Sequence, residues 1–173
     1  MPGSSRRLSS PRWRRSWTAR AGDLADPSRS RMLCRPFATT VLIADASVLV
    51  VALADDGPDG DQARARLRGE RLALPELADL EVVSVLRRQL LAGAIDARRA
   101  GLALSDLAVL PARRAPHRPL LARCWELRAN LTPYDAAYVA LAEALEATVL
   151  TGDQRLARAP GPRCPIEIFQ PVR

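Results

Sequence analysis

Asp45, Glu81, Asp135 and Asp153 are the residues of this chain whose type and placement best suit chemistry. Asp45 closes the apolar run 41–44, and Asp153 stands just beyond the apolar run 147–150. Asp135 sits three residues after Thr132, at the start of a long helical pattern. Glu81 lies among apolar neighbours inside another. Carboxylates withdrawn from water are costly unless something binds them, and one hard divalent cation satisfies several at once through oxygen ligands. Such a cation keeps several waters, and one of them can become the nucleophile that hydrolyses a phosphodiester.

Taken singly, three of the four have a plainer reading. Asp45 and Asp153 each suit the N-cap of a following helix. Asp135 falls at the third helical position after Thr132 and Pro133, a capping-box arrangement with Asp in place of Glu or Gln. Glu81 has no such role, because mid-helix backbone N–H groups are already bonded. Its neighbours three and four residues on are Ser84 and Val85, so no local ion pair is on offer. A solvated face shared with Arg88 is the plain reading left to it.

The elements that must position these acids alternate in type. Strands are predicted at 41–44, 72–74, 107–110, 147–150 and 166–169. Helices are predicted over 47–54, 62–68, 76–91, 96–104, 120–129, 133–146 and 154–159, with 55–60 read as turn. Leu80, Val83, Leu86 and Leu90 recur at helical spacing and are the expected core face of the helix over 76–91. Leu120, Cys124, Leu127 and Leu131 play that part for 120–129. Such alternation gives an α/β fold, a mostly parallel central sheet flanked by helices on both faces. Ligands of these folds bind beyond the C-terminal strand ends, at the topological switch point. Asp45 and Asp153 therefore belong on the functional edge. No glycine-rich dinucleotide or P-loop motif follows the first strand.

The formal net charge of +7 lies in one place. Residues 1–40 hold nine Arg against Asp23 and Asp26, whereas the remainder balances 17 Arg with 17 acids. Segment 1–40 is rich in Arg, Ser and Pro, has no sustained period and reads as a disordered extension. A translation start within it, for example at Met32, would leave most of it out. Its Trp13 and Trp17 among arginines suit a nucleic-acid arm as well. No apolar stretch of a secretory signal follows its arginines before Val41. Residues 41–173 then form a single domain. Cys34, Cys124 and Cys164 have no close spacing, which argues against a disulfide framework or a zinc site and fits a reducing cytoplasm. His117 is the one histidine and reads as a surface residue near a helix start. Arg113, Arg114, Arg118 and Arg123 are candidates for gripping a nucleic acid, although arginines more often only face water.

At its acidic segments the chain resembles the PIN-domain family, and most closely its VapC-type toxin ribonucleases. The carriers are Val41-Leu42-Ile43-Ala44-Asp45-Ala46-Ser47, Leu80-Glu81-Val82-Val83-Ser84-Val85-Leu86-Arg87, Leu131-Thr132-Pro133-Tyr134-Asp135-Ala136-Ala137-Tyr138 and Leu150-Thr151-Gly152-Asp153-Gln154-Arg155-Leu156, in the family's order. The resemblance covers about residues 41–170, and residues 1–40 are foreign to it. It implies a single PIN-like nuclease domain and a Mg²⁺-dependent endoribonuclease, with Mn²⁺ as a substitute metal. It implies Asp45, Glu81, Asp135 and Asp153 around the metal, with Ser47 and Thr151 as hydroxyls at the site's edge. A helix cap and a strand-end hydroxyl are the plain readings of those two. The resemblance further implies a homodimer, a small antitoxin as partner, RNA as substrate, a cytoplasmic location and no membrane attachment. The competing reading is a catalytically silent PIN-fold module that binds RNA or a partner. A phospho-receiver would want a lysine, and the chain has none. An aspartyl-nucleophile phosphatase would want a second Asp at position 47, where Ser47 stands.

Overall fold

The computed structural model describes residues 41–172. The expected extension over 1–40 lies outside the described residues. The chain runs β1 (Val41–Ala44), α1 (Ala46–Ala54), α2 (Pro58–Leu67), β2 (Arg71–Pro75), α3 (Leu77–Leu91), α4 (Ala97–Ala108), β3 (Ala112–Ala115), a 3₁₀ turn (Arg118–Leu120), α5 (Leu121–Glu126), α6 (Pro133–Ala144), β4 (Thr148–Thr151), α7 (Gln154–Arg158) and β5 (Ile166–Ile168). All strand pairs are parallel, in the order β3-β2-β1-β4-β5. The chain first builds outward from β1 through β2 to β3, then returns to place β4 on the other side of β1. Parallel crossovers are right-handed, so this reversal puts the β3–β4 connection on the opposite face from α1 to α4. The expected α/β sheet with helices on both faces is therefore the observed one. The reversal creates a switch point between β1 and β4.

The central strands are short and apolar because both their faces are covered. Ile43, Ala44, Leu74, Val149 and Leu150 are fully or almost fully buried. Helix α1 is buried nearly all round, with Val48, Leu49, Val50, Ala52, Leu53 and Ala54 in the core. Its C-terminal carbonyls are met by two arginines rather than water. Buried Arg64 donates to Ala52 O at 2.8 Å and Asp55 O at 2.7 Å, and Arg99 donates to Leu53 O. This cation placement suits the negative end of a helix.

Four local expectations need correction. The segment 107–110, expected as a strand, is the end of α4 and the turn that follows it, with Leu107 and Leu110 turned inward at 5% and 7% exposure. The strand itself is Ala112–Ala115, a polar edge strand. An edge strand has only one covered neighbour and so lacks the apolar signature of a buried one. Helix α2 begins at Pro58, inside the segment read as turn, because proline suits a first helical position and Asp59 and Asp61 favour a first turn. Gly60 is needed there, since a Cβ would stand 1.9 Å from Asp55 O. The core face of α3 is Ala78, Val82 and Leu86, whereas Leu80, Val83 and Leu90 are exposed. Of the expected set only Leu86 is buried, and Ala78, too small to weigh in a hydrophobic pattern, marks the true stripe. Finally, His117 is not merely a surface residue: its Nε2 accepts the backbone N–H of Leu77 at 3.0 Å, filling an open donor at the start of α3.

Candidate active site

Asp45 leaves β1 with its backbone N–H on Leu150 O at 2.9 Å, so it stands beside Thr151 at the end of β4. It occupies the N-cap position of α1 with extended backbone, but its carboxylate makes no capping bond. Its Oδ2 instead accepts two hydroxyls, Ser47 Oγ at 2.9 Å and Thr151 Oγ1 at 2.6 Å. Both hydroxyls are themselves oriented by backbone donors. Ser47 Oγ accepts Gly152 N–H and Thr151 Oγ1 accepts Asp153 N–H, each at 3.0 Å. With a lone pair taken in this way, each hydroxyl aims its proton at Asp45. Thr151 is fully buried. The helix-cap and strand-end readings of Ser47 and Thr151 therefore give way to a shared task, fixing one carboxylate.

Glu81 projects from the middle of α3 and meets α6. Tyr138, 1% exposed, donates its hydroxyl to Glu81 Oε2 at 2.6 Å. One side chain thus ties α3 and α6 together. Partial burial pushes the Glu81 carboxyl up from its ordinary range. The Tyr138 hydrogen bond opposes this, and the charges of Asp45 and Asp135 add to it. Glu81 consequently shares a field with two of the other acids. Burial and the adjoining carboxylate hold the Tyr138 phenol well above its usual range.

Asp135 lies in the first turn of α6, one turn before Tyr138 on the same face. The expected capping box is half formed. Thr132 Oγ1 caps the helix by accepting Asp135 N–H at 3.1 Å, and it donates back to Asp135 Oδ2 at 2.8 Å. The Asp135 side chain spends one oxygen on that hydroxyl. Asp153 caps α7 by accepting Arg155 N–H at 2.7 Å. Its carboxylate also holds the Arg155 guanidinium, with Nη2 at 2.9 Å, and that partner pulls its pKa below the usual carboxylate value.

The four acids are thus brought to one edge, beyond the ends of β1 and β4 and the starts of α1, α6 and α7. No three His, Cys, Asp or Glu side chains among the described residues stand close enough to grip one metal ion as placed. Uncompensated carboxylates repel, and each here rests on a donor of its own. The donor set is nevertheless all oxygen, carboxylate and hydroxyl, which suits Mg²⁺ or Mn²⁺ and no softer metal. Asp45, Glu81 and Asp135 would hold it through the oxygens their hydroxyl partners leave open.

Two of the arginines considered for gripping nucleic acid are structural. Arg114 binds Asp79 and the carbonyls of Leu107, Leu110 and Ala112. Arg123 binds Glu143, Glu126 and Gly161 O. Thr132, Tyr138 and Arg155, absent from the expected site, also touch its acids. A helix-face reading from Asp135 reaches Tyr138, three residues on. An exposed cleft lined by Ala142, Glu143, Glu146, Ala147, Arg163, Cys164 and Pro165 lies at the other end of α6, away from the acids.

A family model of the PIN domain matches residues 42–162. Ribonuclease VapC1 of Mycobacterium tuberculosis is 44% identical over 129 residues, covering 74% of this chain and 97% of that protein. The crystal structure of PAE2754 from Pyrobaculum aerophilum superposes with a TM-score of 0.55 at 24% identity, covering 75% of this chain and 85% of that one. VapBC2 from Rickettsia felis, solved bound to a DNA fragment from its promoter, gives a TM-score of 0.56 at 13% identity, over 75% of this chain and 99% of that one. The two structures share the fold, and the sequence relative carries the closer kinship. The chain belongs to the PIN-domain family, within its VapC-type branch.

Proposed function

We propose that this chain is a Mg²⁺-dependent endoribonuclease that hydrolyses RNA phosphodiester bonds, the toxin of a type II toxin–antitoxin pair. The observation that carries the reading is that Asp45, Glu81 and Asp135 lie within one another's field at the same sheet edge, each with one oxygen fixed by a hydroxyl of the chain. Kinship with a protein named Ribonuclease VapC1 supports RNA as the substrate. Kinship of fold with a VapBC assembly supports an antitoxin as the partner. Among the described residues no helix is long and apolar enough to cross a membrane.

A bound Mg²⁺ or Mn²⁺ supplies an activated water and neutralises charge on the leaving oxygen. The chain's residues prepare its place. Ser47 and Thr151 lock Asp45 through Oδ2 and leave Oδ1 for the cation. Tyr138 locks Glu81 in the same manner, against the repulsion of Asp45 and Asp135. Thr132 does this for Asp135. Asp153 completes the acidic edge once its guanidinium partner is displaced. Fixed oxygens of this kind lower the cost of ordering the site during the reaction.

The reading predicts that purified protein cleaves RNA in Mg²⁺, loses all cleavage in excess EDTA and regains it when Mg²⁺ or Mn²⁺ is restored. Cleavage that survives chelation would refute the metal-dependent mechanism.

A further inference from the structure

Asp153 differs from the other three acids in how its oxygens are used. Arg155 Nη2 donates to Oδ2 at 2.9 Å and Arg155 Nε reaches Oδ1 at 3.3 Å, while the Arg155 backbone N–H holds Oδ1 at 2.7 Å. Both oxygens are therefore engaged, and one partner is a full positive charge. Asp45, Glu81 and Asp135 are engaged through Oδ2, Oε2 and Oδ2 alone, by neutral hydroxyls. The Arg155 side chain is 93% exposed and that of Asp153 is 30% exposed.

Such an exposed ion pair is easily exchanged. A guanidinium fork fits a phosphate as well as a carboxylate. The backbone N–H of Arg155 keeps Asp153 in place after the side chain leaves. We propose that Arg155 is an exchangeable counter-ion of the site: it rests on Asp153 while the acids lack a metal, and turns to a non-bridging phosphate oxygen of the RNA when a divalent cation takes Asp153. Arg155 is then both a competitor of the metal and a positioning residue for the substrate. This rests on the metal-dependent RNA cleavage proposed above.

The two duties give opposite signs, which a merely structural residue would not. In the full chain, Arg155→Ala should bind Mn²⁺ about two- to five-fold more tightly by calorimetry without RNA, the worth of an exposed ion pair. At saturating Mn²⁺ it should raise KM for a labelled mixed-sequence RNA about five-fold with kcat little changed, because a phosphate contact is lost. Arg158→Ala removes the same charge from the same helix, but Arg158 bonds Gln154 and not Asp153. It should leave Mn²⁺ affinity unaltered. Unchanged or weaker Mn²⁺ binding by Arg155→Ala, or equal tightening by Arg158→Ala, overturns the exchange while wild-type cleavage stands. An unaltered KM overturns the phosphate contact. A wild type that neither binds Mn²⁺ nor cleaves RNA refutes the parent reading, and this one with it.

Discussion

Glu81 bears most of the cost of assembling the acids. It is the carboxyl whose pKa is raised, by burial first and by Asp45 and Asp135 after the Tyr138 bond has opposed them. A raised carboxyl binds its proton more tightly folded than unfolded, so ionising it costs stability as pH rises through its titration. Glu81→Gln keeps an acceptor for Tyr138 and removes that cost. With EDTA present, the variant should melt above wild type at neutral pH, by on the order of 0.5 kcal/mol once solvent screening is allowed for. The difference should close as pH falls below the ordinary glutamate value, where both forms are neutral. A variant that melts lower at neutral pH would show that the acids do not strain one another. The acidic residues themselves were legible in the sequence, because type and strand-end position announce them. Their partners were not. Tyr138 looks like any aromatic of an apolar helix until α3 brings Glu81 to its hydroxyl, and that contact spans 57 residues.

At the scale of elements, periodicity identified every α-helix of the described residues, whereas side-chain faces and polar edges escaped it. Helix α3 buries Ala78 and Val82 because it packs closely on α1, and a pattern that weighs only large residues selects the wrong side. Strand β3 escaped because Arg113 and Arg114 stand where an interior strand would carry aliphatic residues. Ion pairs now appear as the fastenings between elements. Arg123 of α5 binds Glu143 of α6 through Nε and Nη2, at 2.7 and 3.0 Å, and both side chains are largely buried. Glu143 also accepts Arg163 N–H at 2.8 Å, and Arg123 holds its carboxyl below the usual range. A depressed carboxyl stabilises the fold above its unfolded pKa, and that contribution fades as pH falls through the folded value. Glu143→Gln should therefore cost about 1.5–3 kcal/mol at neutral pH, the range for hydrogen bonds to charged groups. The penalty should shrink in acid below about pH 4, where wild type loses the same charge. Melting curves of both proteins across that pH range measure it. A penalty independent of pH would assign the loss to packing instead.

For the whole molecule, the order β3-β2-β1-β4-β5 is what makes scattered acids into a site, since it sets Asp45, just after β1, beside Thr151 of β4 and near Asp153 just beyond it. The alternation of elements predicted a parallel sheet with a switch point but not the strand order. A second feature of this scale is the outer surface of α3, where Leu80 and Leu91 are 73% and 70% exposed and Val83 and Leu90 are partly so. Clustered exposed aliphatics are costly on a monomer and favour association. We expect wild type to run at the mass of a homodimer by light scattering and Leu80→Glu to shift it toward monomer. A monomeric wild type would remove the dimer from this account.

The central claim is that the carboxylates at the switch point cut RNA with a metal. Sequencing the ends of RNAs exposed to wild type and to Asp45→Asn, both in Mg²⁺ and both shown to be folded, tests it most directly. The substituted amide retains an oxygen for Ser47 and Thr151 but loses the charge that binds the cation. The account predicts defined new ends with wild type and none with Asp45→Asn. Identical new ends with both proteins would contradict it.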